Sequence, residues 1–271
     1  MQTVRQCEAL QSQCLEWRSQ GLRVGFVPTM GFLHEGHLSL MRIARSRCDK
    51  LVVSIYVNPL QFGPGEDLES YPRDEEGDAA KCDQEGCDLL FLPHSLYSEG
   101  HSTRVRVEGL TNRLCGANRP GHFEGVTTVV SRLFGLVLPH LAVFGEKDFQ
   151  QLAVIRRMTR DLGLPVEVVG GPLVRDFDGL ALSSRNAYLS TEERARALSL
   201  SGALRAMAES GIQDTSDLLR LGHGLLEVDE LDYLEVLDAE TLEPLEVLDR
   251  PARAFVAARV GRTRLIDNWA L

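Results

Sequence analysis

The sequence predicts an α/β protein: a Rossmann-like parallel-sheet domain over residues 1–171, then a smaller α+β domain over 172–271. Three observations carry that reading. Short apolar, β-rich runs recur at residues 23–29, 51–58, 88–92, 141–144 and 165–169. Segments with helical spacing lie between them, and strands alternating with helices imply βαβ units. The pattern then breaks at Gly170-Gly171-Pro172 and does not resume.

Each element has its own warrant. The five runs are almost continuously apolar, as strands buried on both faces of a parallel sheet should be. In residues 38–44 apolar side chains return every three or four positions, and residues 123–138 and 149–162 read the same way. Gly63-Pro64-Gly65-Glu66-Asp67 reads as a surface loop. Beyond the break, helices are predicted near 191–209 and 215–227, the first opened by Thr191-Glu192-Glu193. Alternating runs at 231–237 and 254–260 follow, and Gly261-Arg262 turns the second into 263–269, a hairpin signal.

The 271 residues carry 29 Lys+Arg against 39 Asp+Glu, a formal charge of −10. That balance argues against a general nucleic-acid binder, which needs basic stripes to neutralise phosphates. The excess is uneven: 18 basic against 21 acidic residues before position 172, and 11 against 18 after it. Only Lys50, Lys81 and Lys147 are lysines. No apolar run reaches the ~18 residues of a membrane span, and residues 1–8 lack a signal-peptide pattern. Cys7, Cys14, Cys48, Cys82, Cys87 and Cys115 form no Cys-x-x-Cys pair, so reduced, mostly buried thiols in a cytoplasmic protein are expected.

The segment from Pro28-Thr29-Met30-Gly31-Phe32-Leu33 into His34-Glu35-Gly36-His37 carries the most chemical information. A strand ends, a glycine turn follows, and an amphipathic helix starts near Gly36. Ligands of parallel sheets bind at such junctions, and a helix N-terminus favours anions. His34 and His37, three apart, fall on one side of the first turn. Zinc is disfavoured, because the zinc-protease pattern sets its histidines four apart. The absence of a dinucleotide fingerprint counts against NAD. Either histidine alone would read as a cap or a satisfied, partly buried side chain; the pair bracketing a glycine points to phosphate.

A second junction is Gly145-Glu146-Lys147-Asp148, where Lys147 offers a point charge and Asp148 a carboxylate for a helix cap or Mg²⁺. On spacing alone, a solvated capping cluster explains it equally well. Leu182-Ser183-Ser184-Arg185 offers hydroxyls and a guanidinium fork suited to a triphosphate, or simply a capped loop.

Together with Val57-Asn58-Pro59, Gln61-Phe62-Gly63-Pro64, Tyr71-Pro72-Arg73, Leu114-Cys115-Gly116, Arg119-Pro120-Gly121-His122-Phe123, Gln150-Gln151 and Ser183-Ser184-Arg185-Asn186, these segments resemble the pantoate–β-alanine ligase family. The His-x-Gly-His piece is shared with the wider nucleotidylyltransferase superfamily. The resemblance implies ATP- and Mg²⁺-dependent joining of pantoate to β-alanine through a pantoyl-adenylate, releasing AMP and diphosphate. It implies ATP binding by Met30, Gly31, Phe32, Leu33, His34, Glu35, Gly36, His37, Gly145, Glu146, Lys147, Asp148, Val174, Leu182, Ser183, Ser184 and Arg185. His37 matches the proton-donor position, with His34, Lys147 and Arg185 in supporting catalytic roles. Gln61 and Gln151 would bind pantoate, Gln61 also β-alanine, and Asp148 could hold Mg²⁺. A homodimer, a lid role for the C-terminal domain, and no nucleic-acid or membrane partner are further implications. Phe32, Leu60 and His140 depart from residues common in the family. A nucleotidylyltransferase that leaves AMP on its product, or a nucleotide sensor without turnover, are the rival classes.

Overall fold

A computed structural model describes residues 1–271. The chain divides into two compact units. Unit 1 is Met1–Gly109, Arg119–Glu146 and Gln151–Pro172; unit 2 is Leu110–Asn118, Lys147–Gln150 and Leu173–Leu271. Unit 2 thus takes in two short pieces of chain from before the Gly-Gly-Pro break.

In unit 1, six parallel strands form one sheet: β1 (Gln2–Val4), β2 (Val24–Thr29), β3 (Lys50–Ile55), β4 (Leu89–Phe91), β5 (Leu141–Gly145) and β6 (Glu167–Gly171). The spatial order is β1-β4-β3-β2-β5-β6. Alternate strand residues face opposite layers. Val27, Leu51, Val53, Leu90, Leu141 and Val143 pack with Leu40, Met41 and Ala44 of α2 (Glu35–Arg45) and with Cys82 of α3 (Glu75–Gln84). On β2 the neighbouring Phe26 instead meets Phe134 edge-on, 6.5 Å between ring centroids, in α5 (His122–Val137). Both faces are covered, which explains the near-continuous apolar runs.

The structure adds elements that sequence pattern alone leaves out. Helix α1 (Cys7–Ser19) buries only Leu10, Cys14 and Trp17 along an otherwise polar segment. Helix α3 buries Asp78 and Cys82 and is capped by Asp74, which accepts from Gly77 N at 3.0 Å. Neither contains enough apolar residues for a strong periodic signal. The strand before the expected break runs on past the predicted 165–169: Gly170 and Gly171 belong to β6, paired with Phe144 and Gly145, and the chain passes to unit 2 after Pro172. Helix α2 lies so close here that a Cβ on Gly171 would fall 2.2 Å from Leu40 Cδ2. These glycines mark close approach, with Pro172 as the stop.

Unit 2 is built on an antiparallel sheet, β7 (Glu230–Asp238), β8 (Ala252–Val260) and β9 (Thr263–Ala270). Val260 pairs with Thr263 across the two-residue turn Gly261-Arg262, as expected. Helices α7 (Thr191–Glu209) and α8 (Thr215–Leu225) contribute Leu200, Leu204, Met207 and Leu218 to a core with Val236, Val256 and Leu265. Ser190 and Glu193 form a reciprocal cap at the start of α7, one residue before Thr191. The short α4 (Leu114–Asn118) and the first residues of α6 (Phe149–Asp161) also belong here. Gln150 donates to Leu110 O and Arg113 O, both at 2.8 Å, and Asn268 donates to Lys147 O at 2.9 Å. Arg253 stacks 4.1 Å over the Phe149 ring and bonds Asn268 Oδ1. These ties explain why Lys147–Gln150 counts with the antiparallel sheet.

All six cysteines are free thiols, four of them buried. Burial pushes Cys14, Cys82 and Cys87 up to about 12, so these three are inert core residues.

At the end of β7, the Asp238 carboxylate accepts from Thr241 N at 2.7 Å, Glu240 N at 2.8 Å and Arg250 Nε at 2.8 Å. These donors, Thr241 foremost, hold its carboxyl down to about 2. A depressed carboxyl stabilises the fold above its unfolded value, and that contribution is lost as pH falls towards 2. Asp238→Asn is expected to flatten the acid side of unit 2's stability profile between about pH 4 and 2. Denaturant unfolding followed by Trp269 fluorescence across that range reads it; an unchanged acid slope contradicts the assignment.

Candidate active site

The sheet reverses direction of growth at β2 and β5. From β2 the chain moves outward through β3 to β4, whereas from β5 it moves the other way to β6. Crevices outside the carboxyl ends of strands at such a reversal are where open α/β sheets bind ligands. The segments leaving these two strand ends begin at Met30 and Glu146, inside the two junctions that the sequence singles out.

After β2 the backbone turns through two consecutive left-handed residues, Gly31 at φ +88° and Phe32 at +51°. Glycine adopts this freely, whereas for Phe32 it costs ~1–2 kcal/mol and must be held from outside. The holder is Asp78, in α3 and only 1% exposed. Its Oδ2 accepts from Phe32 N at 2.7 Å and its Oδ1 from Leu33 N at 2.6 Å. Lys81, one turn along, donates to Leu33 O at 2.9 Å and lies 3.8 Å from Asp78 Oδ1. Burial pushes the Asp78 carboxyl up despite the two N–H donors and Lys81. Its negative charge therefore opposes stability as pH rises through its titration, so its value lies in the turn it shapes.

The turn delivers His34 as the N-cap of α2. His34 Nδ1 accepts from Gly36 N at 3.2 Å, and His37 Nδ1 accepts from His34 N at 3.3 Å. The rings lie 4.1 Å apart. An Nδ1 that accepts carries the lone pair, so each neutral ring holds its proton on Nε2. The sequence reading gave the anion to free N–H groups at this helix end. Instead His34 N and Gly36 N bond the imidazoles, and His37 N and Leu38 N bond His34 O at 2.8 and 3.2 Å. The helix end therefore carries two imidazoles in addition to its dipole. The capping reading of these histidines is thus seen directly. Glu35 is exposed and ion-paired with Arg42, and the Leu33 side chain is in the core.

Gln61 is 8% exposed and tightly held. Its Nε2 donates to Met30 Sδ at 3.1 Å, and its Oε1 accepts from Asn58 Nδ2 at 3.0 Å. Asn58 Oδ1 in turn accepts from Tyr97 OH at 2.8 Å. The Gln61 carbonyl meets His122 Nδ1 at 2.9 Å and accepts from Arg119 at 3.2 Å. Arg119 also grips Glu66 with two bonds of 2.7 and 2.6 Å. Burial raises the Glu66 carboxyl, but Arg119 outweighs that and holds it below the ordinary range. Met30 and Gln61 are thus brought into contact within unit 1. In the sequence, Asn58, Arg119 and His122 stand only as members of motifs that carry the resemblance, with no role assigned, and Tyr97 is not singled out at all.

The other candidates fall into two groups. Gly145 ends β5, Glu146 follows it, and Gln151 lies in α6, all in unit 1. Gln150, beside it, commits its Nε2 to two backbone carbonyls, while its Oε1 is buried without a hydrogen-bond partner. Lys147, Asp148, Val174 and Leu182–Arg185 belong to unit 2. There Leu182 N donates to Val174 O at 3.0 Å across a narrow hairpin closed by the Arg175–Ala181 bridge, so these two candidates do meet. Ser183 Oγ caps the following turn by accepting from Arg185 N at 3.3 Å. Lys147 Nζ sits 3.8 Å from Asp148 Oδ2. No group of three or more His, Cys, Asp or Glu side chains is placed to hold a metal ion. Asp148, with one carboxylate, fits a Mg²⁺ that arrives on phosphates and keeps its waters.

Of the departures, Phe32 carries the left-handed turn. His140 Nδ1 accepts from Val24 N at 3.0 Å at the start of the sheet, away from the strands' carboxyl ends. No helix is long and apolar enough to cross a membrane.

The sequence profile of pantoate-beta-alanine ligases matches residues 2–270. A pantothenate synthetase of Syntrophotalea carbinolica is 53% identical over 276 residues, covering 99% of this chain and 98% of the relative. The crystal structure of pantothenate synthetase from Thermus thermophilus superposes with a TM-score of 0.92 at 53% identity, covering 99% of both chains. The pantoate-beta-alanine ligase of Francisella tularensis, solved with beta-gamma ATP and beta-alanine, gives 0.83 at 32% identity, covering 99% of this chain and 97% of the other. Agreement runs the full length of the sequence and through the same sheet, and the paired histidines sit where that sheet reverses. The chain belongs to the pantoate-beta-alanine ligase family.

Proposed function

We propose that the chain performs its family's reaction, the ATP-dependent condensation of (R)-pantoate with β-alanine, with the following division of labour. Met30 to His37 with Gly145 and Glu146 bind ATP, as do Lys147, Asp148, Val174 and Leu182 to Arg185 of unit 2. Gln61 and Gln151 bind pantoate, and Gln61 also serves β-alanine. The observation that supports this best is the reciprocal capping of His34 and His37, which presents Nε2–H donors at the sheet's reversal.

In the first half-reaction a pantoate carboxylate oxygen attacks the α-phosphorus, and the bond to diphosphate breaks. Charge moves onto the leaving diphosphate, where His37 donates from Nε2 and His34 supports it. Lys147 and Arg185 neutralise phosphate oxygens, and Asp148 would help hold Mg²⁺, which would supply further neutralisation when bound with ATP. Gln61 suits pantoate because an amide bonds its hydroxyls and carboxylate without adding charge. In the second half-reaction the β-alanine amine attacks the acyl carbonyl, loses a proton and expels AMP. The adenylate must be shielded from water between the steps, which gives unit 2 its proposed lid role. A homodimer and a cytoplasmic location complete the proposal.

The deciding experiment incubates the protein with ATP, Mg²⁺ and pantoate, with and without β-alanine, and follows diphosphate, AMP and pantothenate. AMP and pantothenate that both require β-alanine are expected. Diphosphate without AMP indicates a nucleotidylyltransferase, and ATP binding without turnover a sensor. His37→Ala should lower pantoyl-adenylate formation by about a hundredfold or more while the protein stays folded. Wild-type diphosphate release by that variant removes His37 from the chemistry.

Gln61→Ala should raise the KM for pantoate at least tenfold and leave ATP affinity within about twofold, since uniform binding to one substrate is lost. Equal losses for both substrates would place Gln61 in the wrong subsite. Lys147→Arg keeps the charge but replaces a compact ammonium by a planar fork. Single-turnover adenylate formation is expected to slow by about tenfold or more with the ATP dissociation constant little changed. If Arg performs like Lys while Ala fails, charge alone suffices.

A further inference from the structure

Asp78 and Lys81 have no place among the residues assigned to substrates, yet they hold the segment that carries the assigned histidines. The Asp78 carboxylate takes two consecutive N–H groups, those of Phe32 and Leu33, one on each oxygen. The Lys81 ammonium takes the carbonyl of the same Leu33. Donors and acceptor of the turn are therefore gripped from a single helix, whose residues 78 and 81 lie on one face. Gly31 leaves no alternative seat: a Cβ there would lie 3.1 Å from Asp78 Oδ2 and 2.8 Å from Ile55 Cγ2.

This grip falls at the one place where an error in backbone geometry is passed straight to the imidazoles. Phe32 is held in a left-handed conformation that L-residues avoid, and His34 follows two residues later. With Phe32 N and Leu33 N released, the turn is free to relax towards ordinary φ values. The His34 ring would rotate away from its Gly36 bond, and with it the His37 ring that caps in return. A buried carboxylate whose only task was packing could be replaced by an apolar side chain of similar size without effect on any substrate.

We propose that Asp78 is a positioning residue for the nucleotide, acting with Lys81 through the Gly31–Leu33 turn to set the direction of the His34 and His37 Nε2–H groups. The inference rests on the reading that Met30 to His37 bind ATP. It assigns no contact with substrate to either residue.

The test compares wild type, Asp78→Asn, Asp78→Ala, Lys81→Met and His37→Ala for thermal midpoint, KM of ATP, KM of pantoate and single-turnover adenylate formation. Asp78→Asn keeps one acceptor oxygen but turns an NH₂ group towards a backbone N–H. It should raise the KM of ATP and slow adenylate formation, each by about tenfold or more, while the KM of pantoate moves less than about twofold. Asp78→Ala should be worse than Asn, and Lys81→Met milder with the same ATP-selective pattern. A folded Asp78→Asn or Lys81→Met protein with wild-type ATP parameters overturns the inference, as does an equal loss towards both substrates. If Asp78→Ala fails to fold, the Asn and Met variants decide. His37→Ala separates the two levels: if it too leaves adenylate formation intact, the ATP-site reading is what has failed.

Discussion

The reversal of strand order across β2 and β5 is the constraint on which the site depends. Parallel strands that grow outward in opposite directions must send their following segments to opposite sides, and the space between those segments is left to a ligand. Everything the site needs must therefore be delivered by turns that leave β2 and β5 at once. A relaxed loop after β2 would carry the histidines past the crevice. Two left-handed residues in succession bring the start of α2 back to the strand end instead.

Holding that turn in place requires something outside it. Its own residues do not supply the bonds, because Phe32 N and Leu33 N are directed at α3. Asp78 meets them from that helix, which has little apolar surface and packs through Cys82 and the aspartate itself. The lysines acquire meaning in the same way. Lys81 reaches Leu33 O, while Lys50 bonds Asp88 at 3.1 Å and sits 5.5 Å over the Trp17 ring. In a chain that otherwise uses arginine, these two have specific structural partners, so rarity of lysine by itself does not mark catalysis.

The Gln61 side shows a parallel economy. A buried amide kept in one rotamer needs its own partners satisfied, or it would choose others. Asn58 and Tyr97 fix the side chain, and Arg119 and His122 fix the main-chain carbonyl. Glu66 then anchors Arg119, tying the loop at residues 63–67 to the segment that leads into α5. Groups far apart in the chain thus converge on one glutamine.

Sequence by itself determined the fold class, five of the six strands of the parallel sheet (β2 to β6), the C-terminal hairpin and the two junctions, since each rests on local periodicity or turn chemistry that acts within a few residues. The ordered motifs from Pro28 to Asn186 likewise carried the family resemblance, because residue identity and order are read directly from the chain. Helices α1 and α3 were not legible, as each buries only two or three side chains and gains its stability from packing. Only tertiary structure decided that the histidines cap one another, that Gly170 and Gly171 belong to a strand under α2, and that Lys147–Gln150 packs with the antiparallel sheet. It alone gave Asp78, Lys81, Arg119 and His122 their tasks, because a hydrogen bond between residues 45 or 60 positions apart leaves no trace in the spacing of either.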